Sequence, residues 1–340
     1  MSDDLPRDPI LKEYRVRPPE MSDAAAAAEL HNIWSIALTG KKEVEPVDYA
    51  NNWQAPDFDK DASVRLVFTP EGELVGNFYL ADHLAPYVQI RLGVFVHPDH
   101  RDNGMPEAML GWAEGRAMQS VDKAPEGAQV ELRSGANHED VFKKELLEEF
   151  GMELIRHFFR MEIEFDGPPP VPELPKEITI RPYRPESEIK AIAVAYQDSF
   201  RDHFGYVEEP LEKLLEGVQH MIANDPHYDP NFWFVAVEGD EIAGFSLCAP
   251  RMTEDPELGW VNVLGVRRPW RGRGLGLALL QHSFVKLYQN GSKRAGLGVD
   301  ASSLTGATRL YKKAGMSVTR QMDAYRKILR EGQDITTTEI

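Results

Sequence analysis

The chain carries one cysteine, Cys248, in 340 residues. No disulfide can form within it, which fits a reducing compartment, and the cytoplasm is the expected location. Cys248 itself sits in an apolar run and reads as a buried thiol. No apolar run approaches the length of a membrane span, so no membrane partner is expected. The stretch Met1 to Glu13 is polar and lacks the apolar core of a secretory signal. Positive charge is also short: 38 Lys and Arg face 55 Asp and Glu, for a formal net charge of −17. Such a chain repels a phosphate backbone, which argues against a nucleic-acid partner. The same charge suits a cationic acceptor such as an amine. His203, His220 and His227 lack the tight spacing of a ligand set, so no metal is expected.

What is present is length and repetition. A chain of 340 residues exceeds one ordinary core and implies two domains. Tyr14-Arg-Val-Arg-Pro18 precedes a helical stretch, and Ile178-Thr-Ile-Arg-Pro182 precedes another. Val96 to Gly104 matches Val266 to Gly274 in layout, and Phe150-Gly151-Met152 matches Ala314-Gly315-Met316. Three landmarks in one order mark an internal duplication. Residues 166–176 are proline-rich and read as an extended connector. The expected division is a first domain over 1–165, a linker over 166–176, a second domain over 177–330 and a polar, loosely held tail over 331–340.

The strongest chemical signal lies in the second copy. Gly259 to Val266 alternates and is rich in valine, as a strand is. Leu279, Leu280, Phe284, Leu287 and Tyr288 follow at helical spacing, and Gly291 supplies a C-terminal cap. Between them stands Arg271-Gly-Arg-Gly-Leu-Gly276. A glycine-rich turn from strand to helix is an anion site, because a helix start presents unpaired N–H groups and glycine lets a phosphate come close. A Walker loop needs Lys-Ser/Thr after its last glycine, and here Leu277-Ala278 follows. The spacing of Gly272, Gly274 and Gly276 does not fit the dinucleotide fingerprint either.

Arg271, Gly274 and Gly276 match the pyrophosphate loop of the GNAT superfamily, and the chain resembles its tandem two-domain members, of which mycothiol synthase is one type. The resemblance is firm from about Phe232 to Met316. It implies two tandem α/β (α+β) domains, each a mixed, mostly antiparallel sheet flanked by helices. It also implies acetyl-CoA as cosubstrate. Leu264, Gly265 and Val266 would hydrogen-bond the pantetheine arm as an added strand does. Arg271, Gly272, Arg273, Gly274, Leu275, Gly276 and Leu277 would hold the pyrophosphate. The family's second block matches at Ala307, Leu310, Tyr311 and Gly315, with Ser303 where asparagine is usual and Met316 where phenylalanine is.

Taken alone, Tyr311 would read as one more apolar contact on a helix. The Leu-Tyr match implies more: a phenol near the sulfur that protonates the leaving thiolate. The relatives' glutamate base on the strand before the loop has no counterpart, since Trp260 stands there. Glu257, just upstream, is the substitute candidate, although it also reads as an exposed turn residue. On the acceptor side, His203 and Tyr206 lie in an aromatic and acidic stretch suited to an amine.

In the first copy the loop reads Arg101-Asp-Asn-Gly104-Met-Pro106. Pro106 removes one N–H donor and Asp102 adds an unfavourable charge. Leu147 occupies the place of Tyr311 and cannot give a proton, so this copy is expected to be catalytically inert. The expected activity is acetyl transfer to a primary amine, of a small molecule or a peptide, by direct attack in a ternary complex. A non-catalytic acyl-CoA sensor and a tRNA-dependent aminoacyl transferase are the alternatives, the latter disfavoured by charge. A monomer is expected, since a tandem pair mimics a dimer within one chain.

Overall fold

The computed structural model describes residues 8–303 and 306–337. The chain divides into two units. Unit 1 takes the residues up to Ile155 together with Asp323–Ile335, and unit 2 takes Arg156–Met322 and the residues from Thr336 on.

The first repeat runs β1 (Arg15–Arg17), α1 (Ala24–Thr39), α2 (Pro46–Trp53), α3 (Lys60–Ser63), β2 (Val64–Phe68), β3 (Leu74–Ala81) and β4 (Gln89–Val96). It continues with α4 (Met105–Met118), β5 (Val130–Asn137), α5 (Val141–Glu149) and β6 (Glu153–Glu164). The second runs β7 (Ile178–Pro182), α6 (Pro185–Phe200), α7 (Leu211–Asn224), β8 (Trp233–Glu238), β9 (Glu241–Ala249) and β10 (Leu258–Val266). It ends with α8 (Leu275–Gln289), β11 (Arg294–Asp300), α9 (Ala307–Lys313) and β12 (Ser317–Arg330). Apart from the short α3, the two repeats present the same elements in the same order.

In unit 2, β7, β8, β9 and β10 form an antiparallel ladder, β10 pairs parallel with β11, and β11 pairs antiparallel with β6. In unit 1, β1 to β4 are antiparallel, β4 pairs parallel with β5, and β5 neighbours β12. Strand β9 is buried from Ile242 through Ala249, so apolar side chains fill both faces. Helix α8 covers one of them: Leu280, Phe284 and Leu287 share a core with Phe234, Cys248 and Val261. Phe284 is 1% exposed, and truncating such a ring to alanine costs about 3–5 kcal/mol. Gly274 at φ 83° starts α8, and Gly291 at φ 99° follows its end, the left-handed conformation that glycine adopts without strain.

Pairing reassigns two segments. Residues 156–165, which the sequence places in the first domain, fall in unit 2 because β6 runs beside β11 from Glu164↔Arg294 to Phe158↔Asp300. Asp323–Arg330, placed in the second, fall in unit 1, where β12 lies next to β5. The proline-rich residues 166–176 carry neither helix nor strand. Within the described residues 331–337, the tail is tied down rather than loose. Gln333 exchanges backbone bonds with Gly127 and Gln129 in unit 1, and Thr337 with Gly205 and Tyr206 in unit 2. Residues 338–340 of that tail lie outside the described residues, as does Thr305, where the sequence starts α9. No helix among the described residues is long and apolar enough to cross a membrane.

Candidate active site

The site begins with a strand that leaves its neighbour. Strand β10 pairs with β11 only from Leu258↔Arg294 to Val261↔Leu297. Its ladder with β9 continues to Val266↔Gly244, with a register shift between Val261 and Val263. A bulge bends its strand, and Asn262 is the extra residue. Beyond it β10 follows β9 and leaves β11, so its edge from Asn262 to Val266 faces an opening. A pocket of about 270 Å³ occupies that opening, lined among others by Asn262, Leu264, Leu297, Asp300, Ser303 and Tyr311.

At the end of β10 the chain turns into α8. A Cβ added to Gly276 would lie 3.1 Å from Leu310 and 3.7 Å from Val266, so the start of α8 lies against both α9 and the splayed strand. Among the described residues, no acceptor meets the N–H groups of Gly272, Arg273, Gly274, Leu275, Gly276 and Leu277. These donors and the helix dipole make a site for an anion.

The arginines of the loop are otherwise engaged. Arg271 donates through Nη1 and Nη2 to both carboxylate oxygens of Asp202, through Nη2 to the Ser199 carbonyl at 2.8 Å and through Nε to the Val266 carbonyl at 3.0 Å. Arg267 donates to Asp198 at 2.9 Å, and Arg273 lies 3.5 Å from Glu238. Arg271 therefore ties the loop to α6 rather than offering a mobile charge, and the backbone carries the anion site.

Tyr311 projects from α9 and is 8% exposed. Burial pushes its phenol up to about 12, so it keeps its proton through the neutral range. No other described residue hydrogen-bonds to its hydroxyl. The same pocket is lined by the rings of Phe158, Tyr196, Phe200 and Phe204, with His203 among them. Tyr196 stacks on Phe200 at 4.7 Å, and the His203 ring lies tilted against Phe200 at 4.4 Å. Burial lowers the His203 imidazole, which stays neutral. Its Nδ1 is buried without a hydrogen bond, 3.7 Å from an Asp202 oxygen. Asp300 also lines the pocket, but its oxygens accept from Arg156 Nε and Nη2, both at 2.9 Å.

Of the residues the sequence singles out, the structure brings Leu264, Ser303, Tyr311 and His203 to one pocket, with Gly265 and Val266 next along the same strand. Two others stay away. Glu257 is exposed in the turn before β10, where its carbonyl accepts from Lys293 and Arg294, at the end of the strand remote from the opening. Tyr206 is absent from the lining, its hydroxyl buried without a partner and pushed up to about 12 by burial. Trp260 lies over Gly296, where a Cβ would come within 2.5 Å of its ring, and stacks with Arg160. The aromatic wall was legible in part: Phe200 and Phe204 belong to the aromatic stretch that holds His203, while Tyr196 and Phe158 lie outside it. Tyr196, Phe200 and Phe204 recur every four residues, a signal present in the sequence, whereas Phe158 comes from β6 and had none.

The corresponding opening of unit 1 is closed. Strands β4 and β5 pair only from Gln89↔Glu131 to Arg91↔Arg133. Lys143, in the place of Ala307, is buried there with its ammonium 5.3 Å from the Phe95 ring and 5.8 Å from that of Trp34. Burial brings its pKa down to about 8. Trp34 Nε1 donates to Asp140 at 2.6 Å. At the start of α4, Asn103 Oδ1 takes the Met105 N–H at 3.1 Å, and Pro106 has none to offer. Leu147, fully buried, replaces the phenol.

Three comparisons agree with this geometry. The acetyltransferase (GNAT) family model matches residues 190–316. A GCN5-related N-acetyltransferase from Sphaerobacter thermophilus is 32% identical, with a TM-score of 0.78 over 98% of this chain and 99% of that one. A mycothiol acetyltransferase of Streptomyces scabiei is 29% identical over 262 residues, 76% of this chain and 78% of that protein. A tandem GNAT protein from the clavulanic acid biosynthesis pathway, 14% identical, shares the fold over 94% of this chain with a TM-score of 0.70. GNAT enzymes work on acyl-CoA, and a splayed strand that runs into a helix start rich in free N–H groups is what such a donor needs. The chain belongs to the GNAT family of acyltransferases, with the family's fold present twice.

Proposed function

We propose that unit 2 transfers an acetyl group from acetyl-CoA to a primary amine of a small molecule, and that unit 1 takes no part in the chemistry. The observation that carries this reading is the departure of β10 from β11, which opens a pocket reaching Tyr311 beside a helix start with unpaired N–H groups. The free edge at Leu264, Gly265 and Val266 receives the pantetheine arm as an added strand. The N–H groups of Gly272 to Leu277 hold the pyrophosphate, with Arg271 fixing the loop through Asp202.

The amine loses a proton before it attacks. His203 is the acceptor best placed for it, a neutral imidazole in the same pocket as Tyr311. Asp202 stabilises the imidazolium that forms. The amine nitrogen bonds to the acetyl carbon, the carbon–sulfur bond breaks, Tyr311 gives its proton to the departing thiolate, and the second proton that the nitrogen sheds on becoming an amide returns to the Tyr311 oxygen. No acyl-enzyme is needed. The chain's one thiol, Cys248, is 1% exposed and pushed up to about 11 by burial, and among the pocket-lining residues no other group is an activated nucleophile. The aromatic wall beside His203 favours an acceptor with an apolar body next to its amine.

The test is initial-velocity kinetics of CoA release with a panel of primary amines. Release that requires the amine, with double-reciprocal lines that intersect, supports direct attack. Parallel lines indicate a covalent intermediate and contradict it.

A further inference from the structure

Unit 1 has lost its opening for a donor but retains a cavity. It measures about 360 Å³, larger than the pocket at Tyr311, and lies against α2, β3 and β4. Its walls are aromatic and rigidly held. Tyr49 meets Trp53 edge-on at 5.7 Å, and Phe58 lies 5.2 Å from the His83 ring. Tyr79 lies flat on the backbone of β4, where a Cβ on Gly93 would fall 1.9 Å from its ring. Tyr49 is fixed in turn: its hydroxyl accepts from Asn77 Nδ2 at 3.3 Å and meets His31 Nδ1 at 3.2 Å.

The polar groups of this cavity are unequally engaged. Arg91 lines it, is exposed, and forms no ion pair among the described residues. The nearby Asp82 carboxylate is already satisfied by Arg116, Lys123, Ser63 and Ser120. Asp48, the one carboxylate of the lining, accepts the Glu45 N–H at 2.7 Å as a cap of α2. His83 Nδ1 is buried with no hydrogen-bond partner. The cavity thus presents aromatic walls edged by the Asn52 amide and the Tyr79 hydroxyl, one cation without an ion partner and one ring nitrogen without a hydrogen bond.

We propose that this cavity of unit 1 is a binding site for a small aromatic carboxylate, its ring between Tyr49, Trp53, Phe58 and Tyr79 and its carboxylate on Arg91 and His83. A pocket of this volume suits a ligand of one or two rings, and an arginine with no ion partner meets a carboxylate in two-point geometry. The site does no acetyl transfer, because Lys143 and Leu147 stand where unit 2 has Ala307 and Tyr311.

The experiment titrates the full chain with benzoate, phenylacetate and indole-3-acetate, and with the corresponding neutral amides, by calorimetry and by the ring-proton resonances of the histidines. At least one acid is expected to bind with Kd below about 1 mM, ten-fold or more tighter than its amide. Arg91→Gln is expected to bring that acid to the level of the amide. Ala55→Trp, which fills the cavity, is expected to abolish both. Affinity for acetyl-CoA stays unchanged in the two variants, which separates this site from the one in unit 2. The proposal is overturned if no acid binds below about 1 mM, if acid and amide bind alike, or if Arg91→Gln leaves the difference intact.

Discussion

Arg271 grips Asp202 at two points, with Nη2 at 3.1 Å from Oδ1 and Nη1 on Oδ2, and so joins the glycine-rich loop to helix α6. The arginine of the phosphate-loop motif is a strut. Charge-assisted pairs of this kind contribute about 1.5–3 kcal/mol. Asp202→Asn is therefore expected to raise the KM for acetyl-CoA by about ten-fold, with a smaller effect on kcat. An arginine that bound phosphate directly would respond in the opposite sense, because removing its competing carboxylate would tighten binding.

His203 predicts a pH profile. Its imidazole is held below the ordinary histidine value, chiefly by burial. The acid limb of kcat/KM, lost as pH falls through the His203 pKa, should lie below about 6.5. His203→Gln should lower kcat/KM by about 10²-fold and remove that limb. A limb that persists in the variant assigns it to another group.

Ala307 and Lys143 make a second comparison. Installing the closure of unit 1 in unit 2, as Ala307→Lys, should place an ammonium between β10 and β11 and abolish acetyl-CoA binding by calorimetry. Retained affinity in a folded variant would mean that the donor enters elsewhere.

Lys143 carries a cost that pH reveals. Its folded pKa, near 8, lies below the ordinary 10.5 because burial disfavours the ammonium. The penalty is present in full below pH 8 and fades as pH rises towards 10.5, so this residue makes stability increase with pH over that window. Lys143→Met, which removes the buried charge at similar volume, should stabilise unit 1 at pH 7 by about 2 kcal/mol, measured by urea denaturation. A loss of stability would show that contacts with Trp34 and Phe95 outweigh the desolvation.

Much of this architecture was legible in the sequence, for local reasons. Strand β10, helix α8 and the turn between them announce themselves through valine alternation, helical leucine spacing and three glycines, all within about thirty residues. Tyr311 was legible through its resemblance to a family block. Partners distant in sequence were not. Nothing near Arg271 signals Asp202, 69 positions earlier, and so its guanidinium reads from sequence as a pyrophosphate ligand. Phe158 reaches the pocket through β6, whose pairing with β11 spans more than a hundred residues, while the proline-rich segment after it suggested a boundary ten residues too late. Glu257 was chosen for its chemistry and proximity in sequence; the register of β10 puts it at the far end of the strand.

The most direct test is steady-state release of CoA from acetyl-CoA over a panel of primary amines, comparing the unaltered chain with Tyr311→Phe. The account predicts amine-dependent release that falls by about 10²-fold in kcat in the variant, with acetyl-CoA affinity preserved. Undiminished turnover in Tyr311→Phe would remove the phenol from the reaction, and acetyl-CoA binding without turnover on any amine would contradict the assignment of an acetyltransferase.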